Sequence, residues 1–172
     1  MSAFDESAID DVDINDDDIN DTRTPQERRD STFHESGHAV AALALKLTVY
    51  KITVDPEPAE RAAERRATGG VLRGYVDFDE RLTHVGEDAA SQRAFTQRLA
   101  KHQIVYCAGP IAVKMSRGEA IEPQSQAEET AYQLLSKVWP CVERLANSLQ
   151  GTTTTWSGYE AARIASGQSI QG

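Results

Sequence analysis

The stretch TPQERRDSTFHESGHAVAALAL, residues 24–45, combines the signals of a helix start with apolar residues at helical spacing. Thr24 can cap a helix, Pro25 suits the first helical position, and Glu27 completes a capping box. Apolar residues then recur at helical spacing as far as Leu47. The stretch therefore predicts one long helix that begins at a well-marked N-terminus.

Three residues in the middle of this helix carry chemical meaning. His34 and His38 are four residues apart, so both imidazoles project from one helical face. Two neutral ring nitrogens at this spacing can bind one Zn²⁺ at about 2.0–2.1 Å. Glu35 follows the first histidine, where its carboxylate can take a proton from water at the metal. This HExxH pattern is typical of zinc peptidases, and it predicts His34 and His38 as metal ligands and Glu35 as the catalytic base.

The charge of the chain is unevenly distributed. The 172 residues carry a net charge of −9, from 27 acidic and 18 basic side chains. Nine of the acidic residues lie in the first 21 positions, which contain no Lys or Arg. The remainder is formally neutral, which excludes the basic surface expected of a nucleic-acid-binding protein. We expect a disordered acidic tail over residues 1–23, one domain over 24–166, and a flexible C-terminus over 167–172.

Two further features bear on the cellular setting. Cys107 and Cys141 lie in apolar helical stretches outside any CxxC pattern, which favours buried, reduced thiols. The sequence shows neither a signal peptide nor an apolar run of about 18 residues. These features predict a soluble, cytoplasmic protein with no membrane span.

The rest of the chain predicts an α+β fold that is mostly helical. Gly109-Pro110 is expected either to bend its helix or to allow another helix to approach closely, and Pro140 is expected to bend a later one. The predicted elements after the first helix are a strand at 49–54, a surface excursion at 55–68, a strand at 71–78, a helix at 91–118, a helix capped by Ser125 with Glu128 in a capping box, and a short helix at 157–165.

The order of these motifs resembles the peptidase domain of the FtsH-type, ATP-dependent zinc proteases. The similarity covers roughly residues 24–166 and is most specific at TFHESGHAVAALAL, residues 32–45. It continues through VYKITVDP at 49–56, GGVL at 69–72 and AGPIA at 108–112. The resemblance implies a zincin-like helical domain with a small β-sheet, in which the strand at 69–78 offers an edge to an extended peptide.

The resemblance also implies a third zinc ligand, which this chain supplies differently. The family uses an aspartate at the start of a late helix, where this chain reads Ser-Gln-Ala-Glu-Glu at 125–129. Glu128 is the ligand by register, and Glu129 is the second choice. Glu60 or Glu64 soon after the first helix, and His84, remain open alternatives.

A second departure concerns the motor. Nothing in the chain matches GxxxxGK[ST], the phosphate-binding loop of the family's AAA+ module. We therefore expect a zinc-dependent metalloendopeptidase that acts on unfolded or flexible protein segments, alone or with an AAA+ unfoldase in trans. A homo-oligomer is compatible with the resemblance. The alternative is an inactive binding or regulatory module that keeps the fold, with or without the metal.

The remaining polar and aromatic candidates have simpler explanations. His102 is expected to be a surface residue or to support the site from behind the ligands, rather than to bind metal. Trp139 and Trp156 are expected in the core or in a lid. A group of arginines fits a solvated loop face better than an anion site, namely Arg61, Arg65, Arg66 and Arg73.

Overall fold

The computed structural model describes residues 21–54, 75–78, 88–150 and 154–168, together with the single positions 63 and 67. Within these residues the chain is mostly helical, with a three-stranded antiparallel sheet, which confirms the α+β class. The helices are α1 (Pro25–Ala44), α2 (Ala89–Arg117), α3 (Gln126–Leu149) and α4 (Gly158–Ala165); the strands are β1 (Val49–Thr53), β2 (Tyr75–Phe78) and β3 (Thr155–Ser157).

The predicted start of α1 is confirmed in atomic detail. The Thr24 hydroxyl accepts a hydrogen bond from the Glu27 amide at 3.2 Å, and the Glu27 carboxylate accepts one from the Thr24 amide at 2.8 Å. The helix ends at Ala44, earlier than expected, because Lys46 adopts a left-handed backbone conformation with φ of 59°. Leu47 lies beyond this turn and is buried.

Helix α1 forms the centre of the molecule. Every residue from 30 to 42 is buried except His38, which is partly exposed. The helix packs against α2, α3, α4, β1 and β2. A surface helix buries only one apolar stripe, whereas a helix surrounded on all sides must place its polar residues inside as well. The polar side chains of α1 are therefore held in the interior by the fold.

The sheet has the order β2-β1-β3, with β1 in the middle. Ile52 at its centre is fully buried and pairs with Val76 on one side and Trp156 on the other. The predicted strands at 49–54 and 71–78 are confirmed where the structure describes them, over β1 and β2. Strand β3 was not expected. The excursion at 55–68, apart from positions 63 and 67, and the GGVL motif at 69–72 lie outside the described residues.

The later helices also begin and end close to the predicted positions. Helix α2 is capped by the Asp88 carboxylate, runs without a break through Pro110, and ends at Gly118 with φ of 67°. Helix α3 is bent at Val138, two residues before Pro140, as expected. Its Glu128 carboxylate bonds to the amide of Gln124 rather than to that of the cap residue Ser125. None of the helices in the described segments is long and apolar enough to cross a bilayer.

The described part of the chain begins at Asp21, three residues before the predicted domain boundary. The Arg23 side chain is buried, and its guanidinium donates to both oxygens of Asp21 at 2.9 Å and to the Ser31 hydroxyl at 3.2 Å. These contacts attach the residues before α1 to the body of the molecule.

Candidate metal centre

The two histidines of α1 point their outer ring nitrogens at each other. The Nε2 atoms of His34 and His38 are hydrogen-bonded to each other at 3.1 Å, and the rings are nearly perpendicular. Two nitrogens that bind one tetrahedral Zn²⁺ at 2.0–2.1 Å are separated by about 3.3 Å. The observed separation therefore fits a shared metal ion with a shift of a few tenths of an ångström.

The other ring nitrogen of His38 determines its tautomer. Nδ1 lies 2.6 Å from the backbone oxygen of Val105 on α2. A carbonyl oxygen only accepts hydrogen bonds, so Nδ1 of neutral His38 carries the proton and Nε2 keeps its lone pair. Metal-binding histidines are commonly oriented by such a second hydrogen bond. The geometry therefore presents the Nε2 atom of His38 as a ligand.

The histidine pair occupies space that a glycine leaves free. A Cβ atom at Gly109 on α2 would lie 2.4 Å from Nε2 of His38 and 2.9 Å from Nε2 of His34. On the other helix, a Cβ at Gly37 would lie 2.7 Å from the backbone oxygen of Ala108 and from Cβ of Ala112. The two glycines thus allow α1 and α2 to approach closely, and Gly109 borders the space around both imidazoles.

Burial keeps the two histidines neutral. Loss of hydration lowers the pKa of His34 to about 4, with a further contribution from the nearby His38, and burial likewise lowers the pKa of His38. A buried imidazolium is disfavoured because the interior solvates charge poorly. A metal binds the neutral imidazole, so burial holds both rings in the charge state that metal binding requires at pH 7.

Glu35, which follows His34 in the sequence, is a buried carboxyl group. The residue is 2% exposed, and it has no hydrogen bond or ion pair within the described segments. Burial raises its pKa to about 8. A carboxyl group with a pKa near the working pH can both accept and return a proton.

The predicted third ligand is not brought into contact with the pair. Glu128 caps the start of α3, and Glu129 accepts a hydrogen bond from Gln133. The Glu128 charge nevertheless contributes, after burial, to a raised pKa of the Cys107 thiol. Cys107 precedes Gly109 by two residues on α2, and α2 packs against α3. Among the residues described, no three His, Cys, Asp or Glu side chains form a group that could hold a metal.

Other sequence candidates have clear positions or lie outside the description. His102 is 3% exposed, which excludes the surface alternative and leaves a supporting role as a prediction. Its ring packs edge-to-face on Phe78, and its Nε2 atom has no hydrogen-bond partner in the described part of the chain. Trp139 is partly buried and stacks on Phe33. Cys107 and Cys141 are free thiols of intermediate burial. The candidates outside the described residues are Glu60, Glu64, His84, Arg61, Arg65, Arg66 and Arg73.

One polar pair near the site was missed from the sequence. Asp30, one turn before His34 on the same face, is buried and accepts hydrogen bonds from Arg117 at the end of α2 and from Gln26. The four-residue spacing of Asp30, His34 and His38 was a usable signal for a shared polar face. The partner on α2 had no such signal, because 87 residues separate it from Asp30.

Comparison with known proteins adds nothing to this geometry. No protein-family model matches the chain, and no curated protein matches it either. The assignment of the site therefore depends on its own residues and their arrangement.

Proposed function

We propose that this protein is a zinc-dependent metalloendopeptidase that hydrolyses peptide bonds in unfolded or flexible protein segments. The observation that carries the proposal is the His34–His38 pair, with its Nε2 atoms 3.1 Å apart and the tautomer of His38 set by Val105. This donor pair fits zinc in both spacing and chemistry. The order of motifs, which resembles that of FtsH-type peptidase domains, supports the same function.

Each residue of the motif has a distinct role in this proposal. His34 and His38 hold the metal through Nε2. A bound Zn²⁺ would polarise the scissile carbonyl and lower the pKa of water at the site. Glu35 accepts the proton of the attacking water at its carboxylate and returns it to the leaving amine. Its pKa of about 8 in the metal-free protein falls when a cation lies nearby, because opposite charge favours the carboxylate.

The third ligand is proposed to be Glu128, with Glu129, Glu60, Glu64 and His84 as alternatives. Glu128 would have to exchange its hydrogen bond to the Gln124 amide for the metal. This is a side-chain rearrangement at the exposed start of α3, because Ser125 still caps the helix through the Glu128 amide. The proposal therefore includes a local adjustment on metal binding.

A second candidate function is supported by that same region. The described residues place no third ligand beside the histidines. A module that keeps the fold and a weakly held metal, and binds protein segments without cleaving them, fits this observation. In either function the substrate or partner is a flexible segment, delivered by an AAA+ unfoldase in trans where the target is folded.

Zinc content and cleavage of an unfolded protein, measured on the same samples, test the proposal. We expect one zinc per chain after metal repletion and hydrolysis of casein. Glu35→Gln should keep the zinc and lose cleavage, whereas Glu143→Gln, an exposed position on α3, should change neither. Equal cleavage by the Glu35 variant would remove Glu35 as the base. Zinc without any cleavage would favour the binding module. Absence of zinc would contradict the peptidase and leave a metal-free binding module.

A further inference from the structure

A cavity lies on the opposite side of α1 from the histidine pair. It has a volume of about 340 Å³ and is bounded by the first half of α1, the end of α3 and the backbone beside β1 and β3. Thr32 lines this cavity, and it is two residues from His34, so the two side chains point about 200° apart around the helix. The cavity is therefore separate from the candidate metal centre.

The charge of this cavity is opposite to that of the whole chain. Arg23, Arg28 and Arg29 line it, and Asp21 is the one acidic lining residue in the described part of the chain. The described residues of the lining thus have a formal charge of +2, while the chain has −9. We call this cavity, with its three arginines, the arginine pocket.

Two of the arginines lack an acidic partner among the residues described. The Arg28 side chain has no hydrogen bond or ion pair there, and the Arg29 guanidinium lies over the Phe33 ring, 4.9 Å from its centroid. Thr32 and Gln150 add neutral polar groups to the same lining, and they are hydrogen-bonded to each other. Guanidinium groups beside neutral donors are the groups that recognise carboxylates in proteins.

A carboxylate-rich segment of the chain immediately precedes the residues that line the arginine pocket. Eight acidic residues lie between positions 5 and 18, and three of them are consecutive at 16–18. Asp21, the first described residue, lines the arginine pocket. At about 3.5 Å per residue, positions 16–18 are within roughly 18 Å of Asp21. A covalently attached segment reaches an effective concentration in the millimolar range at such a distance.

We propose that the arginine pocket binds carboxylates and that its occupant is the chain's own acidic segment, residues 5–18. Arg28 and Arg29 receive the carboxylates, and Arg23 remains paired with Asp21 and Ser31. Docking would connect the segment to α1 and to the end of α3, on the side of the helix that does not hold the histidines. The interaction is electrostatic and weakens as the ionic strength rises.

A peptide of residues 5–18, labelled with a fluorophore, tests the proposal by anisotropy. The receptor is the full chain in which the eight acidic residues of this segment are changed to Asn or Gln. We expect this chain to bind the peptide, and the wild-type chain to bind it at least about tenfold more weakly, because its own segment occupies the pocket. Equal affinity for both chains would overturn the proposal.

Matched charge variants locate the binding site. Arg28→Gln with Arg29→Gln in the receptor should reduce peptide affinity by at least about tenfold, the effect of losing two charge-assisted contacts. Arg93→Gln with Lys137→Gln removes the same charge from α2 and α3 and should leave affinity unchanged. Arg28→Gln alone provides the test should the double variant fail to fold, since the Arg28 side chain has no hydrogen bond or ion pair among the described residues. Equal losses in both pairs would overturn the proposal.

Two further outcomes identify other occupants. Citrate that binds the receptor while the peptide does not would assign the pocket to a small free anion and overturn the choice of the chain's own segment. If the wild-type chain binds the peptide as tightly as the receptor once it is diluted, the occupant is the segment of a second copy. That result would overturn docking within one chain. Circular dichroism of each variant checks that the fold is retained.

Discussion

Gly109 leaves space for the two imidazoles because it has no side chain. Its Cα faces the Nε2 atoms of both histidines at a distance that leaves no room for a methyl group. Sequence alone marked the Gly-Pro pair as a bend or a close helix contact, and the structure shows the close contact. The atoms that a methyl group would meet are side-chain atoms, so they would move rather than the backbone.

Gly109→Ala should therefore disturb metal binding more than folding. We expect zinc affinity to fall by about tenfold or more, comparable to the loss of an orienting contact in other metal sites. Competition with a zinc indicator measures the affinity. Gly118→Ala is the control. An alanine at this φ of 67° should destabilise the fold by about 1 kcal/mol, but its Cβ would have no atom within 4 Å. Equal zinc affinity in the two variants would contradict this role of Gly109.

Glu128 and Glu129 differ in what they give up on binding a metal. The Glu128 carboxylate holds a backbone amide at the helix start, and that of Glu129 holds the Gln133 side chain. We expect Glu128→Gln to lower zinc content more than Glu129→Gln, measured by elemental analysis after dialysis. The reverse order would move the third ligand by one residue, and no effect of either would favour Glu60, Glu64 or His84.

At the scale of elements, the contact between α1 and α2 depends on small residues. Gly37 lies against the backbone of Ala108 and against the Ala112 side chain. Backbone cannot move aside without separating the helices, in contrast to the imidazoles beside Gly109. The two glycines are therefore expected to respond differently to the same substitution.

Gly37→Ala should destabilise the protein even though alanine favours helices. The gain in helix propensity is about 1 kcal/mol, and overpacking at a tight contact costs about 1–3 kcal/mol. We expect a net loss in the free energy of unfolding, measured by urea denaturation. An increase in stability would show that the helices can move apart at little cost.

The elements that the sequence predicted are those with local signals. Capping residues marked the starts of α1 and α3. Strand β3 was missed because three residues carry too little periodicity to be read. The Asp30–Arg117 pair and the position of Glu128 relative to the histidines depend on how distant helices pack. Local pattern thus predicts the motif and its helix, and it leaves the completion of the site undetermined.

At the scale of the whole molecule, metal-free stability should depend on pH through the buried site. Glu35 keeps its proton in the folded protein up to a pKa of about 8, while the unfolded chain loses it near 4.5. His34 is neutral in the folded protein down to about 4, while the unfolded chain gains a proton near 6.5. Stability therefore falls below pH 6.5 through His34, and it falls as pH rises from 4.5 to 8 through Glu35.

Between pH 6.5 and 8, of these two residues only Glu35 changes the stability with pH. With the metal removed by a chelator, we expect the free energy of unfolding to fall as pH rises, by up to about 1.4 kcal/mol per unit. Urea denaturation at several pH values measures this slope. Glu35→Gln, which cannot ionise, should abolish it. A slope that persists in the variant would assign the effect to other groups.

The burial of α1 has a consequence for the exchange of its backbone amides with deuterium. A helix enclosed by the other elements has no local opening that exposes its amides to solvent, so they exchange when the whole domain unfolds. The slowest-exchanging amides of the protein should then lie at positions 30–42, in the same residues that form the candidate metal centre. Ligand binding at His34 and His38 would slow that exchange across the entire domain, and a loosened domain would lose the site and its core in a single step.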